Sequence, residues 1–196
     1  MSTNHAPHRK TLRAIAHDAM LRRGFLPEFS NAVLSELKEI NSAAKVSSPS
    51  VLDLRELQWF SIDNDDSRDL DQLTAAETRP GNEVRVLVAV ADVDSVVKKG
   101  SAIDGHAVTN TTSVYTAAGT FSMLPEKLST DLTSLGEGVE RLAVVTDMTI
   151  GGDGTVVASD IYRASVQNKA KLAYNAVAAW LDGTGVAPAI LASPIM

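Results

Sequence analysis

The sequence lacks three things: cysteine, an apolar run of membrane-spanning length and an excess of positive charge. Without cysteine there is no disulfide bond, zinc–thiolate site or thiol nucleophile, and this composition favours a reducing, cytoplasmic setting. No apolar stretch approaches the ~20 residues that a transmembrane helix needs, and the polar N-terminus is unlike a signal peptide. We therefore expect no membrane partner.

The net charge of −6 comes mostly from one segment. Residues 63–77 carry six acids against one base, Arg68, which gives −5. A protein that binds nucleic acid through phosphate neutralisation alone is usually basic, and this chain is not. The rest of the chain is nearly balanced, however, and bound metal would offset the acidic segment. Composition is therefore compatible with a nucleic-acid ligand.

Residues 1–50 are predicted to form a helical N-terminal segment and a linker. Residues 1–10 are expected to be disordered. A first helix follows, with Thr11 as its cap and Gly24 as its stop, and a second helix begins at Ser30. Residues 41–50 have the composition of a linker. The apolar positions of the first helix are Leu12, Ile15, Ala16, Ala19 and Met20.

Residues 51–196 alternate strand and helix patterns, which predicts an α/β (α+β) domain with a mixed sheet. The expected elements are a buried strand at 83–92, a helix beginning near Ser101, a hairpin of strands 142–150 and 155–166, and a helix at 169–181. The last stretch, 186–196, is apolar and uncharged. It is expected to be buried by a segment that is absent, which indicates a truncated domain.

Five aspartates lie within nine residues: Asp63, Asp65, Asp66, Asp69 and Asp71. Such a cluster repels itself unless water or a cation neutralises it. Asp69 and Asp71 are two apart, so an extended segment would project both to one face, and a loop could bring Asp63 to the same point. Three carboxylates suit one or two Mg²⁺ ions, which can activate water in phosphodiester cleavage.

The cluster has two other interpretations. A calcium-binding EF-hand loop starting at Asp63 would need glycine at position 68 and glutamate at position 74, where this chain has Arg68 and Thr74. That site is therefore not indicated. A solvated acidic loop without a ligand stays open on spacing alone, because runs of charge are usually just exposed.

The acidic segment resembles the signature of the ribonuclease II/R (RNB) family of exoribonucleases, and further segments match in the same order. The resemblance spans roughly residues 55–182. The matching segments are Ser-Ile-Asp-Asn-Asp-Asp-Ser-Arg-Asp-Leu-Asp (61–71), Val-Ala-Asp-Val (90–93), Thr-Ser-Val-Tyr (112–115), Met-Leu-Pro-Glu-Lys-Leu-Ser-Thr-Asp-Leu-Thr-Ser-Leu (123–135), Arg-Leu-Ala (141–143) and Lys-Leu-Ala-Tyr (171–174).

The resemblance implies a magnesium-dependent enzyme that hydrolyses single-stranded RNA processively from 3′ to 5′ and releases nucleoside 5′-monophosphates. It assigns Asp63, Asp69 and Asp71 as metal ligands, with Asp71 the acid most closely tied to the chemical step. It assigns Tyr115 as the aromatic that packs on the 3′-terminal nucleotide, and base stacking of this kind needs no particular sequence. Without the resemblance, Tyr115 would be taken as a surface tyrosine.

The chain departs from the family pattern in three ways. Gln72 stands where the family usually has a fourth aspartate, which should weaken a second magnesium unless Asp65 or Asp66 compensates. The later half of the catalytic domain is missing, including its arginine for the scissile phosphate. No OB-fold RNA-binding module is evident. The alternative function is therefore an inactive RNA- or protein-binding remnant of such an enzyme.

The remaining candidates have a structural explanation beside the functional one. The four histidines show no ligand spacing, and His106 is expected to be structural. Asp92 is either a support for the metal ligands or a strand-end cap. Arg141 either holds a phosphate or pairs with nearby acids, and Lys171 either lines an RNA path or lies on a solvated helix face. Trp59 and Trp180 are expected in the core.

Overall fold

The computed structural model describes residues 5–192, which form two compact units. The helical unit comprises Met1–Ser42 and Val96–Leu128, and the sheet unit comprises Ala43–Ser95 and Ser129–Met196. The helices are α1 (His5–Arg22), α2 (Asn31–Glu39), α3 (Ala102–Asn110), α4 (Tyr174–Leu181) and α5 (Ala189–Ala192). The strands are β1 (Leu52–Asp53), β2 (Phe60–Asp63), β3 (Gln72–Arg79), β4 (Glu83–Ala91), β5 (Val114–Thr116), β6 (Gly119–Phe121), β7 (Glu140–Ile150), β8 (Val156–Gln167) and β9 (Ala170–Ala173).

Helix α1 begins earlier than the sequence pattern indicated. Its first residue is His5, so the expectation of disorder is wrong for residues 5–10 and Thr11 is not the cap. Pro7 lies in the first turn, where its missing N–H removes a donor that has no partner within the helix anyway. Residues 1–4 lie outside the described part. The predicted stop is confirmed, because Gly24 adopts a φ of +80° just after the helix ends.

Local capping starts the other two helices of this unit, which begin close to the positions that the sequence indicated. The Ser30 hydroxyl accepts a hydrogen bond from the Val33 amide at the start of α2. The Ser101 hydroxyl accepts one from the Asp104 amide at the start of α3, and the Asp104 carboxylate accepts one from the Gly100 amide. Each bond satisfies an amide that has no partner inside its helix.

The sheet unit is built on a seven-stranded mixed sheet in the order β1-β8-β7-β4-β3-β2-β9. The pairs β1–β8 and β2–β9 are parallel, and the others are antiparallel. The predicted mixed α/β fold class is therefore confirmed. The predicted hairpin is also confirmed, as β7 and β8 pair antiparallel along almost their whole lengths.

The core of the sheet unit lies on one face of the sheet. Strand residues such as Leu73, Leu87 and Val145 are fully buried there, together with Trp59. Because side chains alternate along a strand, their neighbours point to the opposite face. On that face Phe60 and Gln72, with other residues of β2 and β3, line a pocket of about 390 Å³ under α4. The prediction of a core Trp59 is confirmed, and Trp180 is partly buried.

The predicted helix at 169–181 is wrong in its first part. Residues Ala170–Ala173 form β9, which pairs in parallel with β2, and α4 begins only at Tyr174. Pairing with a neighbouring strand overrides the helical pattern, since β9 satisfies its backbone groups across the sheet. Val186 is 92% exposed, and residues 193–196 lie outside the described part. No helix among residues 5–192 is long and apolar enough to cross a bilayer.

Candidate active site

The acidic loop, residues 63–71, connects two antiparallel neighbours of the sheet. Asp63 is the last residue of β2, and Asp71 directly precedes β3. Phe60 pairs with Thr74, so continuing that register by three residues brings Asp63 level with Asp71. The Asp71 carbonyl accepts a hydrogen bond from the Ala91 amide, which extends the β3–β4 ladder to this residue. Two carboxylates that are eight residues apart are thus directed to the same end of their paired strands.

Electrostatics shows that three of the aspartates lie close enough to interact. Partial burial raises the pKa of Asp71 above its ordinary value, and the negative charges of Asp63 and Asp69 raise it further. A hydrogen bond within Asp71 itself opposes the rise. Asp71 nevertheless keeps access to solvent. The ionised form of Asp71 is therefore destabilised, and a bound cation would reduce this destabilisation.

Residues from a distant segment hold one side of the acidic loop. The hydroxyl of Ser134, which is buried, donates to the Arg68 carbonyl at 2.8 Å and accepts from the Leu70 amide at 3.1 Å. The Leu135 amide donates to the Leu70 carbonyl at 2.7 Å. These bonds flank Asp69 on both sides, so its backbone is fixed by residues more than 60 positions away.

Residues of β9 and α4 hold the other side of the loop. The Lys171 ammonium donates to the carbonyls of Asp65 and Ser67, at 3.0 and 2.6 Å. The Asn175 amide donates to the Asp65 carboxylate at 2.8 Å. Within the loop, Asp63 Oδ1 accepts from the Ser67 hydroxyl at 2.8 Å. The loop is therefore tied to two elements and is not a freely solvated turn.

A buried amide connects these two supports. Asn168 is 1% exposed, and its Nδ2 donates to the Ser61 hydroxyl at 3.1 Å and to the Leu135 carbonyl at 2.9 Å. Its Oδ1 accepts from the Ala170 amide at 3.1 Å. One side chain thus joins β2, the segment that carries Ser134 and the start of β9. Such a fully satisfied buried network fixes the geometry around it.

The donor set fits a hard divalent cation in its chemistry. Carboxylate oxygens are the ligands that Mg²⁺ prefers, and the charges of Asp63, Asp69 and Asp71 repel one another. Asp63 Oδ1 is engaged by Ser67 and by the Asn64 amide, which leaves Oδ2 as the oxygen for a cation. Across residues 5–192, however, no three acidic or histidine side chains are gathered closely enough to hold an ion. The three carboxylates converge on one region without closing around one point.

Gln72 and Asp71 are adjacent in sequence but differ in their surroundings. Gln72 lines the pocket under α4, together with Phe60, Ile62 and Thr74. Strand alternation therefore directs its amide away from the face that Asp71 shares with Leu73. Asp65 accepts from Asn175 at the far side of the loop. Neither side chain is drawn toward Asp71 by a hydrogen bond.

Three of the other candidates have structural partners. Asp92 is buried and pairs with Arg163, whose Nε lies 3.1 Å from its carboxylate. Arg141 donates to the carbonyls of Glu140 and Asp131, so it pairs locally. His106 is buried, and burial lowers its pKa. Its ring stacks against Phe29 and accepts from Asn110, which agrees with the structural role expected for it.

Tyr115 lies in the helical unit, on strand β5 of a two-stranded hairpin. Its side chain is 70% exposed. Exposure of the ring is compatible with stacking, but exposure alone does not assign a ligand.

Among the supports of the acidic loop, only Lys171 was a candidate from the sequence, and it was considered for an RNA path or a solvated helix face and not for holding the loop. Ser134 and Lys171 belong to segments that resemble the family, and this was the signal that pointed to them. Asn168 carried no such signal. Their roles depend on contacts across about 65 to 107 residues, which a local pattern does not reveal.

The fold and the acidic loop together match one known class of proteins. The sequence profile of the RNB domain matches residues 51–192. The chain therefore belongs to the RNB family, which confirms the resemblance. Ribonuclease R of Vibrio parahaemolyticus is 38% identical over 146 residues, which is 74% of this chain and 17% of that protein. The chain thus spans about a sixth of that relative.

Solved structures agree on the fold. RNase R of Mycoplasma genitalium, in complex with ribose methylated single-stranded RNA, superposes with a TM-score of 0.79 at 26% identity. The match covers 90% of this chain and 27% of that one. Yeast Ssd1, described as a pseudonuclease, matches with a TM-score of 0.64 at 16% identity over 76% of this chain and 19% of its own. At that identity the likeness shows the fold alone.

Proposed function

We propose that the chain is the first part of the catalytic domain of a magnesium-dependent exoribonuclease. The substrate is single-stranded RNA, degraded from 3′ to 5′ with release of nucleoside 5′-monophosphates in the cytoplasm. The relatives named ribonuclease R support the nuclease assignment. The chain covers only a small part of them, so we assign the complete activity to a longer protein that contains it.

One observation carries this proposal: Asp71 lies beside Asp63 and Asp69, and its pKa is raised by partial burial and, to a smaller extent, by their charges. Folded proteins seldom crowd three carboxylates without a compensating cation. The charges of Asp63 and Asp69 both act on Asp71, so the cluster carries unfavourable repulsion at that residue. A divalent ion is the compensation that this arrangement supports.

Each residue has a distinct part in the proposed mechanism. Asp63, Asp69 and Asp71 would hold the metal, whose chemistry is to neutralise the phosphate and acidify an attacking water. The raised pKa of Asp71 makes its carboxylate a better proton acceptor than an ordinary aspartate. Tyr115 would stack on the terminal base, and stacking is worth about 1–3 kcal/mol per base without sequence preference.

The alternative function is a catalytically inactive RNA- or protein-binding remnant. Two observations favour it. Gln72 replaces the expected fourth acid and lines the pocket under α4, and the three carboxylates do not close around one point within residues 5–192. In such a remnant the acidic loop would bind magnesium weakly and the chain would release no nucleotide.

Magnesium binding tests the metal assignment directly. We expect calorimetric titration of the 196-residue chain with Mg²⁺ to show binding that Asp71→Asn weakens about tenfold or more, because it removes one ligand charge. Asp66→Asn is the matched control, since it removes the same charge from an exposed position in the same loop. Equal losses in the two variants would mean that magnesium senses only the net charge of the loop.

Cleavage tests the reaction. With labelled single-stranded RNA and magnesium, mononucleotide release by this chain alone would contradict the remnant. In a longer protein that contains the chain, we expect Asp71→Asn to abolish cleavage and leave RNA binding largely in place. Full cleavage in that variant would show that Asp71 is not the residue closest to the chemical step.

A further inference from the structure

We propose that Arg9 and Arg13 of α1 are positioning residues for RNA binding, because they hold the hairpin that presents Tyr115. This inference rests on the proposed function, in which Tyr115 stacks on an RNA base. The Tyr115 hairpin is defined here as residues 114–121, which comprise β5, the turn and β6. Both arginines and the hairpin lie in the helical unit.

The two arginines contact the hairpin from one side of α1. Arg9 Nε donates to the Ala118 carbonyl at 3.3 Å. The guanidinium carbon of Arg13 lies 5.3 Å from the centre of the Phe121 ring, within cation–π range. Residues four apart share a helix face, so α1 presents both groups together. Isolated two-stranded hairpins are marginally stable, and this one gains two anchors from the helix.

Gly119 allows the close approach of Arg13. The glycine has a φ of +143°, and a Cβ placed there would lie 2.9 Å from Arg13 Nη1. A larger residue would therefore strain the backbone and push the guanidinium away. The turn is closed by its own bonds, since the Thr116 hydroxyl donates to the Gly119 carbonyl at 2.6 Å. The hairpin is thus shaped to receive the arginine.

The arginines hold the face of the hairpin that is opposite Tyr115. Phe121 is 4% exposed and pairs with Val114, whereas Tyr115 pairs with Thr120. Alternation along the strands places Tyr115 on the other face. Arg9 and Arg13 therefore act on Tyr115 through the hairpin backbone and do not need to touch the same base.

Lys10 is a natural control for this role. It carries the same charge, lies between the two arginines in sequence and is exposed, as they are. Within the described part of the chain, none of the three forms an ion pair with a carboxylate, whereas Arg22 of the same helix pairs with Asp18. No hydrogen bond joins Lys10 to the hairpin in that part of the chain. Removing Lys10 changes the charge of α1 without releasing the hairpin.

The test measures binding of a fluorescent single-stranded RNA to the 196-residue chain. We expect the double variant Arg9→Met with Arg13→Met to bind about tenfold more weakly, close to the loss in Tyr115→Ala. The triple variant, which combines both arginine changes with Tyr115→Ala, should bind RNA less than about twofold more weakly than Tyr115→Ala alone. The three changes remove one shared interaction. Lys10→Met should stay within about twofold of the parent. Arg13→Lys, which keeps a cation over Phe121, should retain most of the affinity.

Two outcomes would overturn the inference. If Lys10→Met weakens binding as much as each arginine change, and the losses add to that of Tyr115→Ala, the arginines act as charges on the RNA and not through the hairpin. The second measurement needs no RNA. Hydrogen exchange of the amides of residues 114–121 should accelerate about tenfold in the double arginine variant and not in Lys10→Met. Unchanged exchange would remove the basis of the inference.

The two proposals fail in distinguishable ways. If the parent chain binds no RNA but exchange accelerates as expected, the arginines hold the hairpin and the RNA role of Tyr115 is wrong. If the parent binds RNA through Tyr115, but hydrogen exchange and RNA affinity are unchanged in the arginine variants, the proposed function stands and the positioning role is wrong.

Discussion

Three arginines of the sheet unit and two of the helical unit are used in opposite ways. In the sheet unit, Arg55, Arg85 and Arg163 each lie between two carboxylates, at distances of 2.6 to 3.1 Å. In the helical unit, Arg9 and Arg13 contact a carbonyl and an aromatic ring instead. Positive charge is therefore neutralised locally in the first case and kept in the second. The sheet unit is left with an acidic loop suited to cations, and the two arginines of α1 are left to anchor the Tyr115 hairpin.

The two units also differ in their spectroscopic signals. Both tryptophans, Trp59 and Trp180, belong to the sheet unit. The three longest helices, α1, α2 and α3, belong to the helical unit. Tryptophan emission therefore reports unfolding of the sheet unit, and far-ultraviolet circular dichroism at helical wavelengths reports mainly the helical unit.

Core truncation should produce the largest effect and should separate the units. Leu87 and Ile103 are both fully buried, the first in the sheet unit and the second in α3. We expect Leu87→Ala and Ile103→Ala each to lower the free energy of unfolding by about 2–5 kcal/mol, because each leaves a cavity. Denaturant titration should show Leu87→Ala in the tryptophan signal and Ile103→Ala in the helical signal. A shift of both signals together in both variants would show one cooperative transition and erase the distinction.

Removal of the buried amide should have the next largest effect, confined to the sheet unit. Asn168→Ala leaves the Ser61 hydroxyl, the Leu135 carbonyl and the Ala170 amide without their partner. We expect a loss of about 1–3 kcal/mol in the tryptophan-detected transition, together with weaker magnesium binding. Asn175→Ala is the control, because it removes one exposed hydrogen bond to Asp65. Equal effects of the two changes would mean that Asn168 does not organise the acidic loop.

Acidification is a milder perturbation and should destabilise the helical unit at a higher pH than the sheet unit. Burial lowers the pKa of His106 below 6.5, so the folded unit favours the neutral ring. The contribution of the neutral ring to the free energy of unfolding is fully present above the ordinary histidine pKa. It is lost as the pH falls through the lowered pKa of the folded state. We therefore expect the helical signal to lose stability below about pH 6.5. His106→Gln should abolish that dependence, and an unchanged dependence would assign it to another group.

The sheet unit should respond to acid in a lower range. The hydrogen bond from Arg85 holds the pKa of Asp147 below 3.8, and the Tyr162 hydroxyl adds to this effect. Its contribution is present above the ordinary aspartate pKa and is lost only as pH falls below it. Asp71 works in the opposite sense, since its raised pKa favours the protonated form. Loss of the tryptophan signal already near pH 6 would contradict this order.

The smallest expected effect concerns Gln72, within the sheet unit itself. The absent family aspartate suggests that Gln72→Asp would tighten magnesium binding. The placement of Gln72 in the pocket under α4 favours a change of less than about twofold, because a charge on the opposite face interacts through solvent. Calorimetric titration of Gln72→Asp with Mg²⁺ decides between these two expectations. A strong gain in affinity would show that the start of β3 can turn Gln72 toward Asp71.

Features that depend on neighbouring residues were predicted well from the sequence. Helices α2 and α3 begin next to Ser30 and Ser101, as expected, and β7 and β8 form the expected hairpin, because a helix start or a short turn needs only adjacent residues. The helix predicted at 169–181 was wrong in its first part because that part depends on distant residues. Its first residues satisfy their backbone through β2, more than 100 positions earlier in the chain. The division of the chain at residue 50 stays a prediction.

The sequence alone determined the chemistry available to this protein: which carboxylates exist, how closely they follow one another and which family they identify. Only the tertiary structure decided which of them meet. Asp63 and Asp71 are brought level by strand pairing, whereas Gln72, next to Asp71, faces the other side of the sheet. Ser134, Asn168 and Lys171 then fix the loop through hydrogen bonds that span distant parts of the chain. Such bonds have no local signature because they form only when the sheet has assembled.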